Sequence, residues 1–372
     1  MKAQTAQTGT ETTPDLLYSE AEDDLRAAVR ALLADRADAP TVLARAESDT
    51  PYDPELWRAL GARMDVAGLL VPEKLGGQGA SHREAAVVLE EIGRAVAPVP
   101  FLTSAVIATE TLLALGAETA EVTSLVRELA SGHRTAALVV PFSTGPHSVR
   151  LPETLAGTVS AVADAATADV LLVPTAEGLY AVDAAEAAVI PLTPLDLTRP
   201  LAAVTLDGVS GTLLAGPDAT RVAVRRALLA GAGLLASEQL GVAEWCLTET
   251  VTYTRERKQF NRPVGSFQAL KHRMAQLWLE VVSARAAARN AADALATDSP
   301  EVALAVAVAQ AYCARVAVHA AEECVQLHGG IGMTWEHPAH LYLKRAKSAQ
   351  IALGSAGEHR AAIAELVDLP TP

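Results

Sequence analysis

Tyr253-Thr254-Arg255-Glu256-Arg257-Lys258-Gln259-Phe260-Asn261-Arg262-Pro263-Val264 gathers Arg255, Arg257, Lys258 and Arg262 into one short stretch of a chain whose formal net charge is −14. Lys271 follows just beyond. A helical pattern ends within the stretch, and Pro263 helps to begin another. Arginines at such a turn offer planar, paired donors that match phosphate oxygens. A solvated basic helix end that complements its own dipole uses the same residues. Taken alone, the stretch leaves both readings open.

Outward from it the helical spacing runs long. Apolar residues recur at three and four over 224–255, 264–296 and 301–327, each far above the usual helix of about 11–12 residues. Long Ala-rich helices approach one another closely, which suits a bundle. Upstream, 134–220 changes texture. Short apolar runs at 135–140, 168–173, 179–182, 187–190 and 202–206 are separated by Gly, Pro, Asp and Thr, the pattern of strands and turns in a small β domain. From Ser19 to about Ala130 the pattern is helical again. Ser19-Glu20-Ala21-Glu22 predicts a capping box, Ser81 a second helix start running to about Ala95, and 54–64, 102–115 and 120–130 further helices. The expected architecture is α+β and multidomain: a flexible tail over 1–18, an N-terminal helical domain over 19–131, a small β-barrel or sandwich domain over 132–221 and a C-terminal four-helix bundle over 222–372.

Composition narrows the function. At 372 residues the chain favours two or three folded regions over one core. Half of it is hydrophobic, yet no run of about 18 uncharged apolar residues appears, so no membrane span is expected. Residues 1–14 are polar and carry no secretory core. Cys246, Cys313 and Cys324 are isolated from one another and from His at metal spacing; buried thiols in a reducing, cytoplasmic setting are expected, with no metal. The acidic balance argues against nucleic acid or an anionic membrane as a main partner, while a local basic site for a phosphate-bearing ligand stays compatible with it.

A second stretch, Gln326-Leu327-His328-Gly329-Gly330-Ile331-Gly332, places a Gly-rich turn after a helix, where backbone N–H groups are exposed and a bulky ligand can come close. A helix C-cap also demands Gly. In combination the motifs are more specific. Tyr253-x-x-x-Arg257-x-x-Phe260, then Phe267-Gln268-Ala269-Leu270-Lys271-His272-Arg273-Met274-Ala275, then the Gln326–Gly332 turn, resemble the C-terminal domain of acyl-CoA dehydrogenases. Val71-Pro72-Glu73-x-x-Gly76-Gly77-x-Gly79 and Leu89-Glu90-Glu91-Ile92-Gly93 are similar to the N-terminal half of the same family. The resemblance implies three domains, FAD at a subunit interface, an acyl-CoA thioester substrate and an electron-transfer flavoprotein as acceptor. Carried onto this chain, it assigns FAD contacts across the interface to Arg257, with Gln259, Phe260 and Gln268 beside it, and adenosine contacts to Gln326, Gly329 and Gly330.

The resemblance breaks where the chemistry is carried. The family removes a proton α to the thioester carbonyl with a Glu whose pKa is tuned in an apolar site, while the β-hydride leaves to the flavin. Counting from the Gly-rich turn, that Glu falls on Leu353 within Gln350-Ile351-Ala352-Leu353-Gly354-Ser355, so no catalytic base stands there. The alternative base position, early in the first C-terminal helix, falls near Gly231. Glu238 and Glu244 fit neither position, and Glu358 reads as an acid at a helix start. The Thr-Glu-Pro-type segment that lines the flavin corresponds only loosely to Val140–His147, and a Trp-Ile-Thr-Asn-type strand has no counterpart after Gly157-Thr158-Val159. This selective loss resembles the degenerate subunit of heteromeric actinobacterial acyl-CoA dehydrogenases, many of which act on steroid side chains. The expectation is an α2β2 enzyme in which a partner supplies the Glu. Two alternatives are a self-sufficient homotetramer with a relocated base and a non-catalytic scaffold or regulatory subunit.

Overall fold

A computed structural model describes residues 16–48, 50, 52–116 and 119–369. Its N-terminal part holds α1 (Glu20–Arg36), α2 (Ala39–Ala46), α3 (Pro54–Trp57), α4 (His82–Ala95), α5 (Thr109–Leu113) and α6 (Ala120–Ala130). The capping boxes at Ser19/Glu22 and Ser81/Glu84 are both formed, each satisfying backbone donors that the first helical turn leaves free. Two predicted helices are mixed: Arg58–Arg63 and Phe101–Ala108 are π-helical and continue α3 and lead into α5. The widened turn leaves the apolar spacing nearly unchanged, so periodicity alone does not reveal it. Residues 1–15 of the expected tail lie outside the described residues. Leu16–Tyr18 are held in place: the Leu16 and Leu17 carbonyls accept from Arg289 and Arg83, and the Tyr18 hydroxyl donates to buried Glu90.

The middle of the chain forms two small sheets. One runs in the order β1 (Ala136–Leu138), β3 (Val170–Pro174), β4 (Leu179–Asp183), β7 (Thr212–Ala215), with β1 and β3 parallel. The other runs β2 (Thr158–Ala163), β6 (Leu201–Thr205), β5 (Ala188–Leu192) and is antiparallel. Ala137, Leu171, Val173 and Val182 from the first sheet meet Val162, Ala202 and Val204 from the second in a separate apolar core, as a sandwich requires. β2, which the spacing of apolar runs did not mark, begins at Thr158 and carries no Trp-Ile-Thr-Asn-type sequence. Its register slips between Val159 and Val162, where Ala161 takes a φ of 58°. That bulge, with Ser and Ala in place of β-branched or aromatic residues, hides the alternation.

α7 (Pro217–Glu256), a hairpin of β8 (Lys258–Gln259) and β9 (Arg262–Pro263), then α8 (Gln268–Ala296), α9 (Val302–His328), α10 (Ala339–Ile351) and α11 (Ala356–Leu366) complete the chain. α7 and α9 are the bundle's centre, lined by Ala, Val and Leu. By length and composition Val302–Met333 could cross a membrane; 56% of its apolar window is buried inside the bundle. The N-terminal domain is pressed onto the bundle through two glycines. A Cβ on Gly241 of α7 would lie 1.9 Å from the Glu90 carbonyl oxygen, and one on Gly93 of α4 would lie 2.1 Å from that of Glu238. Both helices therefore touch backbone to backbone, which accounts for the Gly of the Leu89–Gly93 motif.

Candidate active site and cofactor surface

Leu353 follows the end of α10, in a turn at φ 53°, the left-handed region that costs a branched residue about 1–2 kcal/mol. Backbone bonds keep it there. The Leu353 N–H donates to the Phe142 carbonyl at 2.8 Å and the Gly354 N–H to that of Ser143 at 3.1 Å. The Val140–His147 loop thus clamps onto the turn. Leu353 is 1% exposed. Together with Ile107, Phe142, Leu228 and Thr103 it lines a cavity of about 20 Å³, room for about one water molecule and nothing larger.

The two possible base positions converge here. A Cβ on Gly231 would lie 3.2 Å from Leu353 Cδ1, and Ile107 Cγ1 would crowd it at 2.7 Å. Neither position carries a carboxylate. The other acids named from sequence are engaged elsewhere. Glu244 holds Arg285, and Glu358 closes a capping box with Ser355 at the start of α11. Glu238 is fully buried between Arg345 and Arg199; burial opposes its charge, but the two guanidiniums hold its carboxyl below the usual range. Arg345 also reaches Asp196 and the Thr198 carbonyl, so this network ties α7 and α10 to the β domain. One carboxyl does stand near the closed cavity. Asp164 is buried, accepts at 2.6 Å from the Thr103 hydroxyl, and is pushed up by burial. Sequence reading passed over it because its surroundings are assembled from distant segments.

The basic stretch has the opposite character. Arg257, Gln259 and Phe260 are exposed, Phe260 to 84%. The β8–β9 hairpin holds them away from the body; the Val264 N–H donates to the Arg257 carbonyl at 2.8 Å, and Phe260 and Asn261 turn at positive φ. The Arg257 side chain has no hydrogen bond or ion pair among the described residues. Arg262 instead stacks on Phe267 at 3.9 Å. Gln268 begins α8 and is exposed. Gln326, Gly329 and Gly330 are exposed at the end of α9. A Cβ on either glycine would meet nothing within 4 Å, so backbone is offered to open space. His328 beneath them is buried. Burial lowers its pKa, but hydrogen bonds to Cys324 outweigh this and the net shift is upward. Nearby His337 is pulled down to about 4, mainly by burial and then by His328 and His340.

These observations divide the fit to FAD. The exposed set offers a free guanidinium, an aromatic face and bare backbone, groups that suit the charged and adenosine parts of FAD. The space at Leu353 and Phe142 does not fit a flavin ring or a thioester.

The family model for the acyl-CoA dehydrogenase N-terminal domain matches residues 19–133, and the model for the acyl-CoA dehydrogenase C-terminal domain matches 220–367. Acyl-CoA dehydrogenase IpdE2 of Mycolicibacterium smegmatis is 38% identical over 336 residues, covering 90% of this chain and 95% of that protein. Among solved structures, the ChsE4-ChsE5 complex from Mycobacterium tuberculosis superposes with a TM-score of 0.85 at 28% identity, over 96% of this chain and 100% of that one. A variant of the Tcur3481-Tcur3483 steroid ACAD gives 0.82 at 28% identity, over 94% and 98%. The chain therefore belongs to the acyl-CoA dehydrogenase family, oxidoreductases whose cofactor is FAD.

Proposed function

We propose that this chain is the base-lacking subunit of an α2β2 acyl-CoA dehydrogenase, acting in the cytoplasm on a bulky acyl-CoA such as one with a steroid side chain. A base-bearing partner subunit holds most of the FAD and supplies the Glu that takes the α-proton. FAD, when bound, supplies the hydride acceptor for α,β-desaturation, and an electron-transfer flavoprotein takes the electrons onward. This chain positions the cofactor. Arg257 sets a fixed paired donor against the pyrophosphate, with Gln259, Phe260 and Gln268 beside it. Gln326, Gly329 and Gly330 receive the adenosine end.

The observation that carries the reading is the meeting of Leu353 and Gly231, both possible base positions, in a buried apolar site where neither carries a carboxylate. A site of about 20 Å³ leaves neither base nor room for a thioester. The names of the structural relatives add support, since ChsE4-ChsE5 is a complex of two different subunits. The test is Arg257→Ala in the co-purified complex. Loss of FAD with the assembly intact is expected; unchanged FAD content overturns the shared site and favours a scaffold.

A second reading rests on Asp164, whose buried, raised carboxyl bonds Thr103 at the cavity wall. In a homotetramer with a relocated base, the isolated chain would desaturate acyl-CoA, and Asp164→Asn would abolish turnover. No turnover by the isolated chain removes this reading.

A further inference from the structure

Glu249 on α7, His328 at the end of α9 and His337 before α10 converge although 79 residues separate the first two in sequence and nine the last two. A carboxylate oxygen and one imidazole nitrogen from each histidine all lie within 4.8 Å of one another. We propose that these three side chains form a binding site for a divalent transition-metal ion of the zinc class, beneath the Gly329–Gly330 turn.

The state of His328 argues for a ligand rather than a packed histidine. Its Nδ1 lies 2.6 Å from the Cys324 carbonyl oxygen. A carbonyl only accepts, so a ring proton sits on Nδ1, and in the neutral ring Nε2 carries a lone pair that a metal ion can take in place of a proton. His328 is 2% exposed, and its Nε2 is buried with no hydrogen-bond partner. An imidazole whose Nδ1–H is fixed by a backbone carbonyl, with Nε2 left open, is the arrangement typical of a metal-ligating histidine. A buried lone pair without a donor calls for such an explanation. The Tyr253 and His337 rings pack against His328 at 4.3 and 4.1 Å and set its plane.

The donor chemistry selects the ion. Two imidazoles and one carboxylate match zinc, cobalt and related ions and disfavour calcium or magnesium, which prefer oxygen ligands. Metal–ligand bonds of about 2.0–2.1 Å bring the donors to about 3.4 Å apart, so donors now up to 4.8 Å apart close by up to about 1.4 Å on binding. Glu249 and His337 are half-buried and lie on the accommodating side, while His328 stays fixed. Ligation through His337 Nε2 would move that ring's proton to Nδ1 and give up the bond of 3.2 Å from the Ala339 N–H. The proposal does not depend on FAD binding.

The test uses the full chain, stripped with chelator and titrated with Co²⁺ without added flavin, reading visible d–d absorption and the metal retained after dialysis. The expected result is about one ion per chain with the intense absorption of a low-coordinate site, and affinity weakened about 10-fold or more in His337→Ala and in Glu249→Gln. Both variants alter half-buried side chains, and their melting curves report on folding. Retention far below one ion per chain, or equal binding by wild type and a variant that melts normally, overturns the proposal.

Discussion

Replacing Leu353 with Glu restores the family's base in name only, and the cost of charging it measures how dry the site is. The side chain is 1% exposed, among Ile107, Leu138, Val140, Phe142, Ala163 and Leu228. Of the polar groups nearby, the Thr103 hydroxyl already donates to Asp164, and the Arg199 guanidinium is set off by the Phe142 ring, 5.1 Å from its centroid. A carboxyl in such surroundings rises by about 2–3 units from its unfolded value near 4.3, equivalent to about 3–4 kcal/mol at 1.36 kcal/mol per unit. Because the folded pKa is raised, the penalty is absent below the unfolded pKa and grows as pH climbs through the folded one. Leu353→Gln is the control of equal shape and equal backbone strain. Urea unfolding should give the two variants similar stability near pH 4.5–5, with Leu353→Glu the weaker by about 3–4 kcal/mol at about pH 8–9. A Glu–Gln difference that stays constant with pH would refute the dry site and reopen it to solvent and substrate.

Two further perturbations probe the domain contacts. Glu90 is fully buried and raised to about 7, chiefly by burial; its share of stability is complete below the unfolded value of about 4.3 and lost as pH rises through 7. Glu90→Gln should therefore flatten the decline in denaturation midpoint between about pH 5 and 8, and an unchanged slope would contradict the assignment. Glu238→Leu strands Arg345 and Arg199, which are 1% and 4% exposed. Unfolding free energy should fall by about 3–5 kcal/mol, against a change within about 0.5 kcal/mol for a surface acid such as Glu365→Leu; equal losses would mean the network is slack.

How far the fold could be read from sequence followed from how local its signals are. Ser19, Ser81 and the long Ala-rich runs announce α1, α4 and α7–α9 because capping and 3.6-residue periodicity act within a few turns. β2 escaped notice because its bulge at Ala161 breaks the alternation, and β7 because Thr212–Ala215 exposes both its first residues to solvent. The motif residues Arg257, Gln326 and Gly329 were legible and stand on the surface. What closes the site was not. Gly231 and Leu353 of the C-terminal bundle meet Ile107 only after the N-terminal helices have packed on it, and Glu249 reaches His328 across a helix pair. Contacts of that range leave no spacing in the chain to recognise.

The most direct check of a divided catalytic centre is a flavin count coupled to acyl-CoA turnover, made on this protein purified alone and again after co-expression with a base-bearing dehydrogenase subunit. The account predicts almost no FAD and no desaturation for the protein alone, with both appearing in the assembly. Stoichiometric FAD and sustained turnover in the protein alone would contradict it.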